Sequence, residues 1–280
     1  MLTALKRHHD EIAFNGKKLS FKNHTVVMGI LNVTPDSFSD GGRFDRVDLA
    51  VQHALEMERD GAEIIDIGGE STRPGHVPVP LEEELRRVLP VIKAIREVSD
   101  IPISIDTYKA ETARQALLAG ADIINDVWGA KADPDMASVA AKFQAPIILM
   151  HNRHNMNYGD ILEDMKSDLL ESIERVKQAG VKDEHIIIDP GIGFAKDYED
   201  NLTVMRRLEE LHSLGYPILL ATSRKRFIGQ ALDASVEERM EGTGATVCLG
   251  IAKGCQMVRV HDVKPIVKMV RMMDAMVYGG

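Results

Sequence analysis

Cysteine is scarce. The 280-residue chain holds two, Cys248 and Cys255, and one pair cannot build a disulfide scaffold, so both are expected as buried reduced thiols. Long apolar runs are missing as well. No stretch approaches the roughly 18 apolar residues of a membrane span, and no apolar segment follows the basic residues Lys6, Arg7, His8 and His9 as it would in a signal peptide. Positive charge is in deficit: 34 Lys and Arg against 43 Asp and Glu leave a net charge of −9. That balance argues against nucleic acid or an anionic membrane as partner. No linker-like tract divides the chain. The expectation is a cytoplasmic protein of one domain over residues 1–280, whose anion-binding cations, if it has them, are gathered locally.

What is present is patterned. Hydrophobic residues make up 44%, enough for one sizeable core, and the length is near the roughly 250 residues typical of a β/α barrel. Asn15-Gly16, flanked by Ile12/Phe14 and Leu19/Phe21, reads as a hairpin with a tight turn. Strand-like segments follow at Thr25–Asn32, Glu63–Ile67, Pro102–Asp106, Asp122–Asp126, Pro146–Met150, His185–Asp189, Pro217–Ala221 and Gln256–Val260. Their near-continuous apolar cores suit parallel strands covered by helices. Helical periodicity marks Asp48–Asp60, Leu81–Val98, Ala110–Ala119, Asp160–Ala179, Asn201–Leu214, Val236–Ala252 and Pro265–Met276. Asp133-Pro134 is expected as a helix start, Ser235 with Glu238 as a capping box, and Gly61, Gly120, Gly180 and Gly215 as left-handed C-caps. The fold class this implies is α/β, a (β/α)₈ TIM barrel with a short N-terminal β-hairpin. An open doubly wound sheet would need a glycine-rich phosphate turn after an early strand. Here Asn32-Val33-Thr34-Pro35-Asp36 stands there instead.

The strand ends carry the polar residues: Asn32, Asp106, Asn125-Asp126, His151, Asp189, Ser223-Arg224-Lys225, and Arg259 with His261. In a barrel these converge on the rim that bears the active site. Any one of them is as easily a cap as a ligand, and alternation turns Asp126 and Arg224 away from the neighbouring candidates. Asp106, Asn125, Asp189 and Lys225 together are harder to dismiss, because so many polar groups emerging from apolar strands are costly to enclose without a polar ligand. Two carboxylates, an amide and an ammonium match a flat heterocycle with adjacent N–H groups, an amine and a carbonyl. A pterin edge fits, and so does a guanine-like base. Arg73, Lys225, Arg259 and His261 suit an anion such as phosphate on the same rim.

The order of motifs goes further. Residues 28–42, MGILNVTPDSFSDGG, and 66–75, DIGGESTRPG, resemble the two signatures of the dihydropteroate synthase family. Ser104-Ile105-Asp106-Thr107, Ile124-Asn125-Asp126, Asp189-Pro190-Gly191-Ile192-Gly193-Phe194, Ser223-Arg224-Lys225 and Arg259-Val260-His261-Asp262 follow in the family's order. The resemblance runs from about Phe14 to the last helix. It implies a Mg²⁺-assisted transferase of folate biosynthesis, a sulfonamide target, that joins p-aminobenzoate to 6-hydroxymethyl-7,8-dihydropterin pyrophosphate. By position it assigns the pterin to Asp106, Asn125, Asp189 and Lys225, and the pyrophosphate to Asn32, Thr72, Arg73, Arg259 and His261. Asn32 would be the ligand on the metal side. Phe38, Pro74, Phe194 and Arg226 fall to the aminobenzoate, although many family members carry a small hydroxyl residue where this chain has Arg226. Asp106, Lys225 and Arg259 are then the expected catalytic groups.

The resemblance also implies a homodimer, and the broad apolar face of the last helix agrees. The loops Asn32–Arg43 and Gly69–Pro78 are expected as lids. Three rivals are weaker. A pterin-binding methyltransferase that serves a corrinoid protein has no use for the Asn32 and Arg73 loops. A barrel hydrolase would need more metal ligands than His151 and His154. A catalytically dead pterin-binding module should have lost a phosphate-side residue, and none is missing.

Overall fold

The computed structural model describes residues 9–34, 43–70 and 78–279. It opens on an antiparallel hairpin, β1 (Glu11–Phe14) and β2 (Lys17–Ser20). The turn between them has Asn15 at φ 47° and Gly16 at φ 73°, the paired left-handed residues that match a turn to the twist of its strands. Eight parallel strands follow: β3 (Val26–Asn32), β4 (Ile64–Gly68), β5 (Ile103–Asp106), β6 (Ile123–Asp126), β7 (Ile147–Met150), β8 (Ile186–Asp189), β9 (Leu219–Leu220) and β10 (Met257–Val260). They pair in the order β8-β7-β6-β5-β4-β3-β10-β9, and a parallel bridge from Ile188 to Ile218 joins the two ends of that row. The result is the expected barrel.

Helices α1 (Arg43–Arg59), α2 (Leu81–Arg96), α3 (Ala110–Ala119), α4 (Met136–Phe143), α5 (Ile161–Gln178), α6 (Tyr198–Arg206), α7 (Arg226–Leu232), α8 (Met240–Ala252) and α9 (Val263–Tyr278) lie between and after the strands. Alternation along each strand divides the apolar residues into two clusters. Val27, Leu31, Ile65, Ile67, Ile103, Ile105 and Ile124 face outward and pack in the larger cluster with helix residues such as Val88, Ile92, Ala113 and Val267. Val26, Met28, Ile64, Ile123, Ile148, Ile187, Leu219 and Met257 face inward. Their partners are Ile12, Phe14, Leu19 and Phe21 of the hairpin segment. The hairpin therefore plugs the floor of the barrel and leaves the opposite rim for ligands.

A buried carboxylate holds the plug in place. Asp122 accepts from Lys17 Nζ at 2.9 Å, Arg96 Nη2 at 2.6 Å, the Ile103 amide at 3.0 Å and, more weakly, Asn15 Nδ2 at 3.3 Å. Replacing Asp122 by Ala leaves these donors without their shared acceptor. The expected cost is about 2 kcal/mol, read as a lower urea midpoint. An unchanged midpoint would show that the apolar plug holds by itself.

Four details differ from the sequence reading. Asp133 does not cap a helix that starts at Pro134: α4 begins at Met136 after Asp135. Its carboxylate accepts from the amides of Asp135 and Ala110, so it serves a turn and the start of α3. Ser235 and Glu238 close a separate turn, with the Ser235 amide donating to Glu238 Oε2 at 3.0 Å, and α8 starts only at Met240. The segment Asn201–Leu214 divides into α6 and a 3₁₀ stretch, Leu208–Leu214. Short α4 and α7 carry no helical periodicity of their own: a helix start was expected near α4, at Asp133-Pro134, and α7 opens directly after Lys225. The glycine C-caps hold: Gly61, Gly120, Gly180 and Gly215 all have positive φ.

Candidate active site

Strand register sets the site's geometry. Asn32 pairs with Gly68, Gly68 with Asp106, and Asp106 with Asn125. These four residues, on β3 to β6, form one inward-facing level at the C-terminal rim. Two residues below Gly68 on the same face of β4 lies Asp66, fully buried. Sequence reading left it out of the site, although its alternation with Ile64 and Gly68 points it inward.

Asp66 and Asp106 share a cation. Arg259, from β10, donates through Nε to Asp66 Oδ2 at 2.6 Å and through Nη2 to Asp106 Oδ2 at 2.7 Å. Asn125 Nδ2 donates to Asp66 Oδ2 at 3.2 Å. Burial pushes the Asp106 carboxyl up to about 7, with Arg259 opposing and Asp66 reinforcing the shift. Burial works against the Arg259 charge too, but the two carboxylates outweigh it and hold the guanidinium above its usual range. Among the described residues, Asp106 Oδ1, Asp66 Oδ1 and Ser104 Oγ are buried without a hydrogen-bond partner. Such orphans are rare unless a ligand or ordered water completes them. Arg259 thus sits against the expected pterin carboxylate, a place its family position on the pyrophosphate did not suggest.

The opposite wall is the turn after β8. The Gly191 amide donates to Asp189 Oδ1 at 2.6 Å. Gly191 has φ 64°, and a Cβ there would meet the His151 carbonyl oxygen at 2.0 Å, so only glycine fits. Burial raises the Asp189 carboxyl, against the pull of Lys225, the Gly191 amide, Arg259 and Lys196. Lys225, at the start of α7, donates to the Ile192 carbonyl, and its Nζ lies 4.7 Å from the centre of the Phe194 ring. Burial lowers its ammonium to about 8 even though Asp189 favours the charge.

Of the remaining expected residues, Asn32 is half-buried at the rim, its Oδ1 facing Asp106 across the open space above Gly68. His261 follows β10 and pairs through Nδ1 with Ser223 Oγ at 2.9 Å. Arg226 is exposed at the first position of α7. Phe38, Thr72, Arg73 and Pro74, and with them most of both expected lids, lie outside the described residues. Asp126 and Arg224 are structural, as alternation implied. Asp126 accepts from the amides of Trp128 and Ala130, and Arg224 pairs with Asp262.

His151 and His154 do not form a metal pair: His154 lies against Trp128, with ring centres 4.6 Å apart, and His151 is buried against Asp168 and Lys196. Among the described residues no group of three or more His, Cys, Asp and Glu is arranged to hold a metal, and no helix is long and apolar enough to cross a membrane.

Comparison with known proteins fits this geometry. Residues 28–261 match the family of pterin binding enzymes. The chain is 64% identical to the dihydropteroate synthase of Bacillus subtilis, over 94% of this chain and 92% of the other, and 58% identical to that of Clostridium beijerinckii, over 93% and 97%. Its fold superimposes on a crystal structure of dihydropteroate synthase from Clostridium difficile, determined in the presence of pteroic acid, with a TM-score of 0.89 at 56% identity, covering 90% of this chain and 97% of that one. The Xanthomonas albilineans dihydropteroate synthase with 4-aminobenzoic acid gives a TM-score of 0.90 at 40% identity, covering 95% and 98%. A barrel whose rim carries these residues in this register, matched at this identity over nearly its whole length, belongs to the pterin-binding enzyme family as a dihydropteroate synthase, a transferase.

Proposed function

We propose that Asp106, Asn125, Asp189 and Lys225 hold the pterin ring of 6-hydroxymethyl-7,8-dihydropterin pyrophosphate while p-aminobenzoate displaces its pyrophosphate. A C–N bond forms between the arylamine and the exocyclic methylene carbon, the C–O bond to pyrophosphate breaks, and the arylamine proton leaves to water. The observation that carries the ring assignment is Asp106 Oδ1, buried and without a partner among the described residues, on the same level as Asn125. An N–H of the ring supplies the missing donor. The Asp106 and Asp189 carboxylates, when ionised, favour positive charge spreading over the ring as the leaving group departs, a form of stabilisation that lowers such barriers. No strong base is needed, because an arylamine is already a nucleophile.

Asn32, His261, Thr72, Arg73 and Arg259 take the pyrophosphate side in this proposal. A neutral oxygen, Asn32 Oδ1, with no group of three or more His, Cys, Asp and Glu arranged to hold a metal among the described residues, would suit a Mg²⁺ held mainly by the substrate's phosphates and water. When bound, that ion neutralises charge on the pyrophosphate. In the same proposal Phe194, beside Lys225, and Arg226, exposed at the start of α7, receive the aminobenzoate ring and carboxylate, with Phe38 and Pro74 as the expected remainder. We also propose one cytoplasmic domain over residues 1–280, acting in folate biosynthesis as a homodimer. The exposed Met272 and Met276 of α9 and Leu249 of α8 support the dimer.

The direct test is pyrophosphate release with both substrates. Release only when both are present is expected, whereas transfer of a methyl group from a reduced folate would favour the methyltransferase. A substitution tests the ring assignment. In Asp189→Asn the amide oxygen keeps the Gly191 bond and the NH₂ faces the pterin, where an acceptor is required. Calorimetry with a bare pterin should show a loss of at least about 1 kcal/mol. Unchanged affinity would mean that the ring is anchored elsewhere.

A further inference from the structure

Behind the turn that presents Asp189 lies a buried cation with no part in the scheme above. Lys196 Nζ donates to His151 Nδ1 at 2.9 Å and to the carbonyls of Gly191 and Phe194 at 3.1 Å each. All three ammonium donors are used. His151 Nε2 meets Asp168 Oδ2 at 3.0 Å. A carboxylate only accepts, so Nε2 carries the imidazole proton and Nδ1 is left to accept from Lys196. A line of bonds therefore runs from Asp168 on α5, through His151, to the back of the turn.

The turn has other ties. Tyr158 Oη donates to the Ala195 carbonyl at 2.7 Å, and the Gly193 amide donates to Asn201 Oδ1 at 2.6 Å. Lys196 is thus not the sole anchor. What it adds is charge. Asp189 is faced by three cations: Lys225 and Arg259 from inside the pocket and Lys196 from behind. Lys196 is itself faced by Asp189, Lys225, Asp200 and Arg153, with Asp168 beyond His151 and Lys131 near that imidazole.

We propose that Lys196 is a positioning residue for the pterin anchor: it fixes the Gly191–Phe194 turn from behind and sets a positive charge at the back of the turn whose Gly191 amide holds Asp189. The inference rests on Asp189 as the pterin ligand. Burial lowers the Lys196 ammonium to about 7, with Asp189 opposing, so a pterin-bound, ionised Asp189 favours the charged lysine and the reverse.

The test compares wild type, Lys196→Gln and Lys196→Met by calorimetry with a bare pterin from pH 5.5 to 8.5. Without the rear cation the Asp189 carboxyl rises further. The pterin-binding form, the carboxylate, is then lost at a higher pH as acid is added. The acid limb of affinity should move up by about half a pH unit or more in both variants. Lys196→Met, which also lacks the turn donors, should lose roughly tenfold at pH 8.5, and Lys196→Gln less. Curves parallel to wild type, merely lowered, would reduce Lys196 to a packing role and overturn the proposal. So would a Lys196→Gln protein that fails to fold, since the lysine would then serve the barrel. If Asp189→Asn leaves pterin affinity intact, the pterin assignment itself fails, a result distinct from either.

Discussion

Arg259→Ala is expected to lower stability and turnover together, by more than any other single change in the site. The guanidinium is the shared partner of two buried carboxylates, and removing one member of such a group leaves the others buried and uncompensated. The expected cost is about 3–5 kcal/mol at pH 8. Its sign with pH follows from Asp106, whose folded pKa is raised to about 7. Between its unfolded value near ~4 and about 7 the folded protein binds the extra proton, so stability falls as pH rises through that window. Arg259 is the influence that pulls the carboxyl down. Its removal moves the upper edge of the window higher, and part of the loss should return on acidification from pH 8 to 6. Urea denaturation at the two values measures this. A loss under about 1 kcal/mol, or one independent of pH, would mean that water replaces the guanidinium without difficulty. Because Arg259 also orients Asp106, affinity for a bare pterin should fall in the same variant. An arginine confined to the leaving group would leave it untouched.

Asp106→Asn should divide activity from stability. Turnover is expected to fall by roughly 100- to 1,000-fold, the usual loss when a group aimed at developing charge is removed. The apo protein at pH 8 should nevertheless be as stable as wild type, or more so by up to about 1 kcal/mol. The carboxylate is the group that burial disfavours, and Arg259 keeps Asp66 as partner. The fall in stability between about pH 4 and 7 should flatten, since the group that titrates there is gone. Steady-state kinetics and urea midpoints over pH 5 to 8 test both halves. Retained turnover would remove Asp106 from the chemistry, and a large loss of stability would mean that its pairing with Arg259 outweighs its burial.

Strands were legible because each is a nearly continuous apolar run, long enough to bury on both faces, with polar residues at or just after its end. Every barrel strand therefore lies close to its expected segment. Short helices were marked only by their starts and not by periodicity. α4 and α7 span Met136–Phe143 and Arg226–Leu232, about two turns each, too few to repeat an apolar spacing clearly. Cap signals misled where the same side chains serve turns, as with Asp133 and with Ser235 and Glu238. In the site, Asp106, Asn125, Asp189 and Lys225 were visible as strand ends. Asp66 was hidden because it lies inside a strand, and only its inward alternation marks it. Lys196 was hidden more deeply: it enters from behind a turn, through bonds to backbone carbonyls and to His151 that no spacing reveals. Arg259 was recognised as a residue, but its pairing with Asp66 and Asp106 was not, since those two partners come from β4 and β5, distant in sequence.

The plugged floor has a kinetic consequence. Ile12, Phe14, Leu19 and Phe21 leave the ribosome early, yet their partners include Ile187, Leu219 and Met257, and β3 itself waits for β10 at its side. Until those last strands are made the hairpin has only part of the surface it covers, from Val26, Met28, Ile64, Ile123 and Ile148. Sealing the bottom and closing the ring of strands become one late event, dominated by contacts of very long sequence separation, which slow folding. A nascent chain that stalls short of Met257 would expose both the unsealed hairpin and the unpaired edge of β3, surfaces that invite aggregation or chaperone capture.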